Sequence, residues 1–449
     1  MHRVLLFPSL LDATVGALGW YFLGYGFAYG DAVDAQGNNV GNGFIGSRFF
    51  AMKQLPYAEG SSQLYNWFFQ YTFAATASTI VSGSVIERAK ITAYIAYSFY
   101  LTAFVYPVVA HWEWSGAGWL SPFRKTGKVL FDSGLVDFAG CGAVHMVGGL
   151  TGIVGAYTVG PRLGRYAADG TALAMPGHNV SYAALGTLIL WFGWFGFNCG
   201  SSGAIIGYSG VVSRVAVSTT LGGAAGGIAA LAFAVAVDGV WDVCICLNGT
   251  LAGLVSITSG CAFFEPWAAI VAGGVGGIIF PCVSRLLTRL RVDDPLEAGA
   301  MHGGCGVWGL FATGLLAQTK AINTYYGPLP GGAARPGGGF YARGQLLAAQ
   351  IVGIVTIGGW VVANTSIMFA LLKRFRLLRI EADVEETGMD HSFHGGSAYP
   401  GAEHLVMMTT IAGSSQDSGS AFGQSHKGAL LFGVQGLEVT EEEAPDAKA

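Results

Sequence analysis

The stretch Asp137-Phe138-Ala139-Gly140-Cys141-Gly142-Ala143-Val144-His145-Met146-Val147-Gly148-Gly149 sets a carboxylate eight residues ahead of a histidine, inside an otherwise apolar run. A second stretch repeats the spacing: Asp294 precedes His302 by eight, and Gly303-Gly304 follows as Gly148-Gly149 follows His145. On a helix rising 1.5 Å per residue, eight residues carry each imidazole about 12 Å inward from its carboxylate, close to the middle of a hydrocarbon core about 30 Å thick.

The surrounding composition supports a membrane setting. Only 11% of the 449 residues are charged, against about 25% in a soluble domain, while 52% are hydrophobic and 70 are glycine. After residue 372 lie 18 of the 50 charged residues, so the body before it has too few to face water. The formal net charge of -4 combines an acidic tail with a nearly neutral body, which argues against a nucleic-acid partner. An ordinary soluble enzyme and a disordered chain are excluded on the same grounds.

Ten runs are long and apolar enough to be read as spans: 4–29, 63–85, 91–110, 137–159, 179–197, 213–236, 242–260, 266–287, 296–317 and 344–372. Alternate loops carry clustered bases: Arg88 and Lys90; Arg162 and Arg165; Arg285, Arg289 and Arg291; then Lys373, Arg374, Arg376 and Arg379. The positive-inside rule places all four on one side when both termini are cytoplasmic. The start, Met1-His2-Arg3-Val4, leads directly into a span-length run with no cleavage site and is read as a true span.

With this topology the 137–159 and 296–317 spans run in opposite directions and bring their histidines to the same depth. That is the pattern of an inverted repeat around a central site. Intramembrane ionisable residues point to function, although either histidine alone could simply bond a neighbouring helix. A metal site is disfavoured, because no further ligand stands at helical spacing from them. Neutral imidazoles that donate and accept hydrogen bonds along a narrow pore fit better. The glycine clusters, such as Gly222-Gly223 and Gly273-Gly274, lack a preceding strand and read as close helix packing rather than nucleotide loops. The seven cysteines lie in or beside apolar runs and read as packing residues.

Three aromatic groups stand beside these signals: Phe73 in Gln70-Tyr71-Thr72-Phe73-Ala74, Trp114 in Ala110-His111-Trp112-Glu113-Trp114, and Phe197 in the string from Trp191 to Ser201. Most aromatics in such a chain are lipid-facing or interfacial. At outer span ends, however, ring faces and the Ser201 hydroxyl would attract a small cation.

These strings, with Arg291-Val292-Asp293-Asp294-Pro295 and His302-Gly303-Gly304-Cys305-Gly306, resemble the ammonium transporter (Amt/Mep/Rh) family from residue 1 to about 400, and its plant-type branch most closely. The resemblance implies an all-α polytopic membrane protein with inverted five-helix repeats plus a final helix, assembled as a homotrimer with one pore per subunit. It implies an outer recruitment site of Trp114, Phe73 and Ser201, supported by Asp137. Phe73 and Phe197 would form a gate, and His145 and His302 the pore. The expected substrate is ammonium or ammonia, with methylammonium as analogue, at the plasma membrane, with no cofactor, no metal and no enzymatic step. An ammonium sensor signalling through its tail is the alternative.

Family members usually have eleven spans, and this chain aligns from the second, around Leu11-Asp12-Ala13. About ten spans are therefore expected, with either an incomplete start or a missing first helix. The transmembrane domain is placed at 1–372 and a cytoplasmic regulatory tail, partly disordered, at 373–449. Within the tail, residues 379–396 resemble the family's regulatory segment, which docks on a neighbouring subunit. Gly388, Asp390 and Ser392 are its candidate residues, with Ser392 where a protein kinase could add charge.

Overall fold

The computed structural model describes residues 2–56, 61–124, 127–329 and 331–392. The described residues belong to one compact unit, Met1–Ala398, and its elements are almost entirely helical. All ten runs predicted as spans are built on helices. The first is α1 (His2–Gly19), a π-helical turn at Trp20–Gly24 and α2 (Tyr25–Tyr29); α3 follows at Gln63–Val85. Next, α4 (Ile91–Tyr100) passes through a π turn at Leu101–Val105 into α5 (Tyr106–Trp114). A π turn at Cys141–Met146 leads into α6 (Val147–Val159). The second half runs through α7 (Val180–Gly200), α8 (Ser209–Asp238), α9 (Val243–Ile257) and α10 (Pro266–Arg289). A π turn at Gly299–Gly304 then opens α11 (Cys305–Leu316); α12 (Thr319–Tyr326) and α13 (Gln345–Arg374) follow. Two short helices, α14 (Ala382–Thr387) and α15 (Met389–Ser392), end the described chain.

Seven of these helical stretches are long and apolar enough to cross a bilayer. Of the other three runs, α3 carries hydroxyls that return to its own backbone, as in Thr76 to Thr72 O and Ser82 to Thr79 O, both 2.7 Å. Such internal bonding keeps hydroxyls satisfied where water is absent. The lipid-type surface is plain on α7, where Leu188, Ile189 and Phe192 are all exposed.

Glycine brings the two halves together. A Cβ on Gly149 would lie 2.0 Å from Gly303 N, so the helices bearing His145 and His302 cross backbone against backbone at the paired glycines. In the second half, a Cβ on Gly226 would meet Gly249 O at 2.4 Å, and one on Gly273 would meet Gly222 O at 2.2 Å, which packs α8 against α9 and α10.

The basic clusters meet at one end of the bundle. Arg88 is fully buried, and its guanidinium donates to the carbonyls of Gly160, Ser84, Ile86 and Asp293. Arg162 clasps both carboxylate oxygens of Asp293, at 2.8 and 3.1 Å, and reaches Glu87 at 2.7 Å. Burial alone would raise the Asp293 carboxyl, but the Arg162 hydrogen bonds outweigh it and hold Asp293 below the usual carboxylate range. The 377–390 segment packs on this end of its own chain. Lys90 N donates to Leu378 O, Ile380 N to Arg88 O and Leu163 N to Glu385 Oε1, while Ile380 and Met389 pack on Ile86.

Candidate functional site

Both histidines ride on π-helical turns, and the reason lies in their leading carboxylates. Asp137 Oδ1 accepts from the N–H of Gly140 and Cys141, at 3.0 and 2.8 Å, and Oδ2 from Gly142 and Ala143, at 2.7 and 3.3 Å. Four otherwise orphaned amides at the start of the turn are thereby satisfied. Gly140 begins it in the left-handed region (φ 102°), which glycine adopts without a Cβ penalty. Asp294 does the same in the second half, accepting from Gly299 and Ala300 N–H at 2.8 and 3.2 Å. The helix therefore starts at Cys141, not at Asp137, and the straight rise of 12 Å expected from the sequence does not apply. Each carboxylate caps its turn, and each histidine is set on the capped turn itself.

The rings form one continuous column. Phe73 stacks on Phe197 with centroids 4.1 Å apart and planes 13° from parallel. Trp114 meets Phe73 edge-on at 5.8 Å, and its Nε1 donates to Asp137 O at 2.8 Å. Phe197 is followed by His145 at 5.7 Å, and His145 by His302 at 5.1 Å, both nearly parallel. The two imidazoles face each other through Nδ1, 3.1 Å apart. One Nδ1 must donate and the other accept, so a single proton lies between them. His145 is buried and His302 half-buried.

Trp114, Phe73, Phe197, Asp137, His145 and His302 thus come together from α3, α5, the two π turns and α7. Ser201 sits one turn beyond Phe197, at the end of α7, and its hydroxyl donates back to Phe197 O at 2.9 Å rather than toward the rings. Gly388, Asp390 and Ser392 lie apart from the column, on the segment at the basic end. Gly388 is left-handed (φ 91°), Asp390 is buried, and Ser392 is exposed with its hydroxyl on Gly388 O.

Residues 2–399 match the model of the Ammonium Transporter Family. The chain belongs to the ammonium transporter family. It is 45% identical over 405 residues to ammonium transporter 1 member 1 of Arabidopsis thaliana, a match covering 88% of this chain and 78% of that protein. To ammonium transporter 1 member 3 of Solanum lycopersicum it is 43% identical over 410 residues, covering 89% and 86%. Two solved structures share the architecture: a sensor Amt protein (TM-score 0.75, 30% identity, 86% of this chain and 89% of that chain), and Mep2 of Saccharomyces cerevisiae (TM-score 0.72, 30% identity, 84% and 81%).

In this member of the family, two residues at the column were not singled out from the sequence. Trp194 stacks on His145 at 5.2 Å and 20°, and its Nε1 is anchored on Thr258 Oγ1 at 2.9 Å. The signal was available: Trp194 precedes Phe197 by three residues, hence lies on the same helix face. Glu113 is fully buried beside Asp137. A carboxylate preceding the candidate tryptophan in an apolar helix was the clue there.

Proposed function

We propose that each subunit moves ammonium nitrogen across the membrane through the column running from Trp114 to His302. The observation that carries this reading is the unbroken sequence of stacked rings, Phe73 to Phe197 to His145 to His302, a path built of aromatic faces and imidazoles. Moving a bare cation into such a path is very costly. At the outer end, ring faces and the carboxylate of Asp137 offset part of the water that ammonium sheds. Ammonium is a weak acid and can leave its proton there, while potassium has none to leave. Neutral ammonia then exchanges hydrogen bonds with imidazole nitrogens.

In this reading Trp114, Phe73 and Ser201 receive the cation, with the Ser201 hydroxyl turning from Phe197 O to do so. Phe73 and Phe197 gate the path. The subunits form a homotrimer in the plasma membrane with both termini cytoplasmic. Uptake of methylammonium by a yeast strain lacking its own transporters tests it: wild type restores uptake, and Asp137→Ala or His145→Ala reduces it. No uptake by the wild type overturns it.

A second reading has its own support. One structural relative is named as a sensor, and the 377–390 segment is bonded to the Arg88 and Leu163 loops at the basic end. A sensor would bind methylammonium without net uptake. A kinase adding phosphate at exposed Ser392 would place charge beside Asp390 and release the segment.

A further inference from the structure

Glu113 has no exposed surface, and among the described residues neither of its carboxylate oxygens meets an N–H or hydroxyl donor. A buried carboxylate left that way is expensive. Its neighbour is Asp137, whose carboxylate lies within hydrogen-bond reach. A Cβ on Gly142 would lie 2.8 Å from Glu113 Oε1 and 3.2 Å from Asp137 Oδ2, so both carboxylates converge on the same glycine. Asp137 is already committed as an acceptor by its four backbone N–H donors, which favour its charged form. Two adjacent buried carboxylates cannot both be charged without a large penalty.

Among the described residues, the rest of the surroundings supplies no compensating cation. Facing the pair are Tyr29 from α2, Tyr106 from α5 itself, Cys141 from the π turn and Tyr326 from α12. These groups are ordinarily uncharged at neutral pH. Arg335 lies farther out, over the Tyr326 ring. Among the described residues the buried Tyr29 and Tyr106 hydroxyls also have no hydrogen-bond partner.

We propose that Glu113 is a neutral acid that donates its proton in a hydrogen bond to Asp137, so that the pair holds one proton and one negative charge beside the outer aromatic site. Glu113 acts through Asp137 and is a positioning residue. It holds the carboxylate over Gly142, and Asp137 O holds Trp114 Nε1. What the pair does for ammonium rests on the transport reading above; where the proton sits does not.

Infrared spectroscopy of the purified protein in lipid at neutral pH separates the two. The wild type should show the carbonyl stretch of a protonated carboxylic acid that Glu113→Gln removes. Glutamine keeps a neutral donor, so Glu113→Gln should retain roughly tenfold more methylammonium uptake than Glu113→Leu, in line with about 1–3 kcal/mol for a lost buried hydrogen bond. The ratio of Glu113→Gln to wild-type uptake should rise with external pH, because only the wild type has a proton to lose there. An acid band unchanged by Glu113→Gln overturns the proposal, as does a Glu113→Gln variant as impaired as Glu113→Leu. If wild type and variants all fail to take up methylammonium, the transport reading falls, and the band still decides the position of the proton.

Discussion

His145 Nδ1 and His302 Nδ1 lie 3.1 Å apart, so the two imidazoles share one hydrogen bond across the boundary between the two halves. Replacing either one by alanine leaves the remaining Nδ1 without its partner. A lost buried hydrogen bond of about 1–3 kcal/mol converts to a drop of roughly 5- to 150-fold. His145→Ala and His302→Ala should therefore each reduce methylammonium uptake to that extent, and the double variant should lose less than the product of the two, because they remove one shared interaction.

The stack of Phe73 on Phe197 is the tightest ring pair in the column. Phe73→Ala removes a contact of about 0.5–1.5 kcal/mol beyond area burial. The concentration for half-maximal methylammonium uptake should rise roughly 2- to 10-fold, measured against Phe68→Ala, where the side chain is largely exposed on the same helix.

Gly149 tests the close crossing. A methyl there would sit 2.0 Å from Gly303 N, and backbone cannot yield as a flexible side chain can. Gly149→Ala should destabilise the protein by about 1–3 kcal/mol or more, seen as a lower melting temperature in detergent. Gly186→Ala on α7, where an added Cβ meets nothing within 4 Å, should be neutral or slightly stabilising.

Asp293 should give the basic end an acid-sensitive stability. Because its carboxyl is held below the ordinary range once folded, the stabilisation is fully present above the unfolded value near 3.9 and is lost as pH falls through the lower folded value. Melting temperatures over an acidic pH series should fall more steeply for wild type than for Asp293→Asn. At neutral pH that variant should itself be weaker by about 3–5 kcal/mol, through the uncompensated Arg162 and Arg165.

Ser392 is exposed, two residues from buried Asp390. Ser392→Asp should silence uptake by loosening the segment that Ile380 and Met389 anchor on Ile86, while Ser392→Ala retains it. Full uptake by Ser392→Asp would show that charge at this position does not regulate transport.

Much of this molecule was legible in the chain. Apolar length marked the long helical runs but not the short α12, because the demand that backbone groups bond internally in lipid leaves few alternatives for a spanning segment. The Asp137–His145 and Asp294–His302 spacings identified both capped turns. The helix starts were less legible: Cys141–Met146 and Gly299–Gly304 are π turns, and their geometry depends on carboxylate capping and on the glycine crossing behind them. Trp194 and Glu113 were missed for a related reason. A single aromatic or acidic residue in an apolar helix acquires a role only from what the neighbouring helices bring to it.

The sequence by itself determined the membrane setting, the placement of the basic clusters and the pairing of two carboxylate–histidine units, since each follows from composition and spacing along one helix. Only the tertiary structure decided that the two imidazoles share one Nδ1–Nδ1 contact, that Ser201 turns back to its own helix, and that Glu113 has Asp137 as its partner. The first and last of these join residues 157 and 24 positions apart in the chain, and the helices that carry the two imidazoles cross where Gly149 meets Gly303.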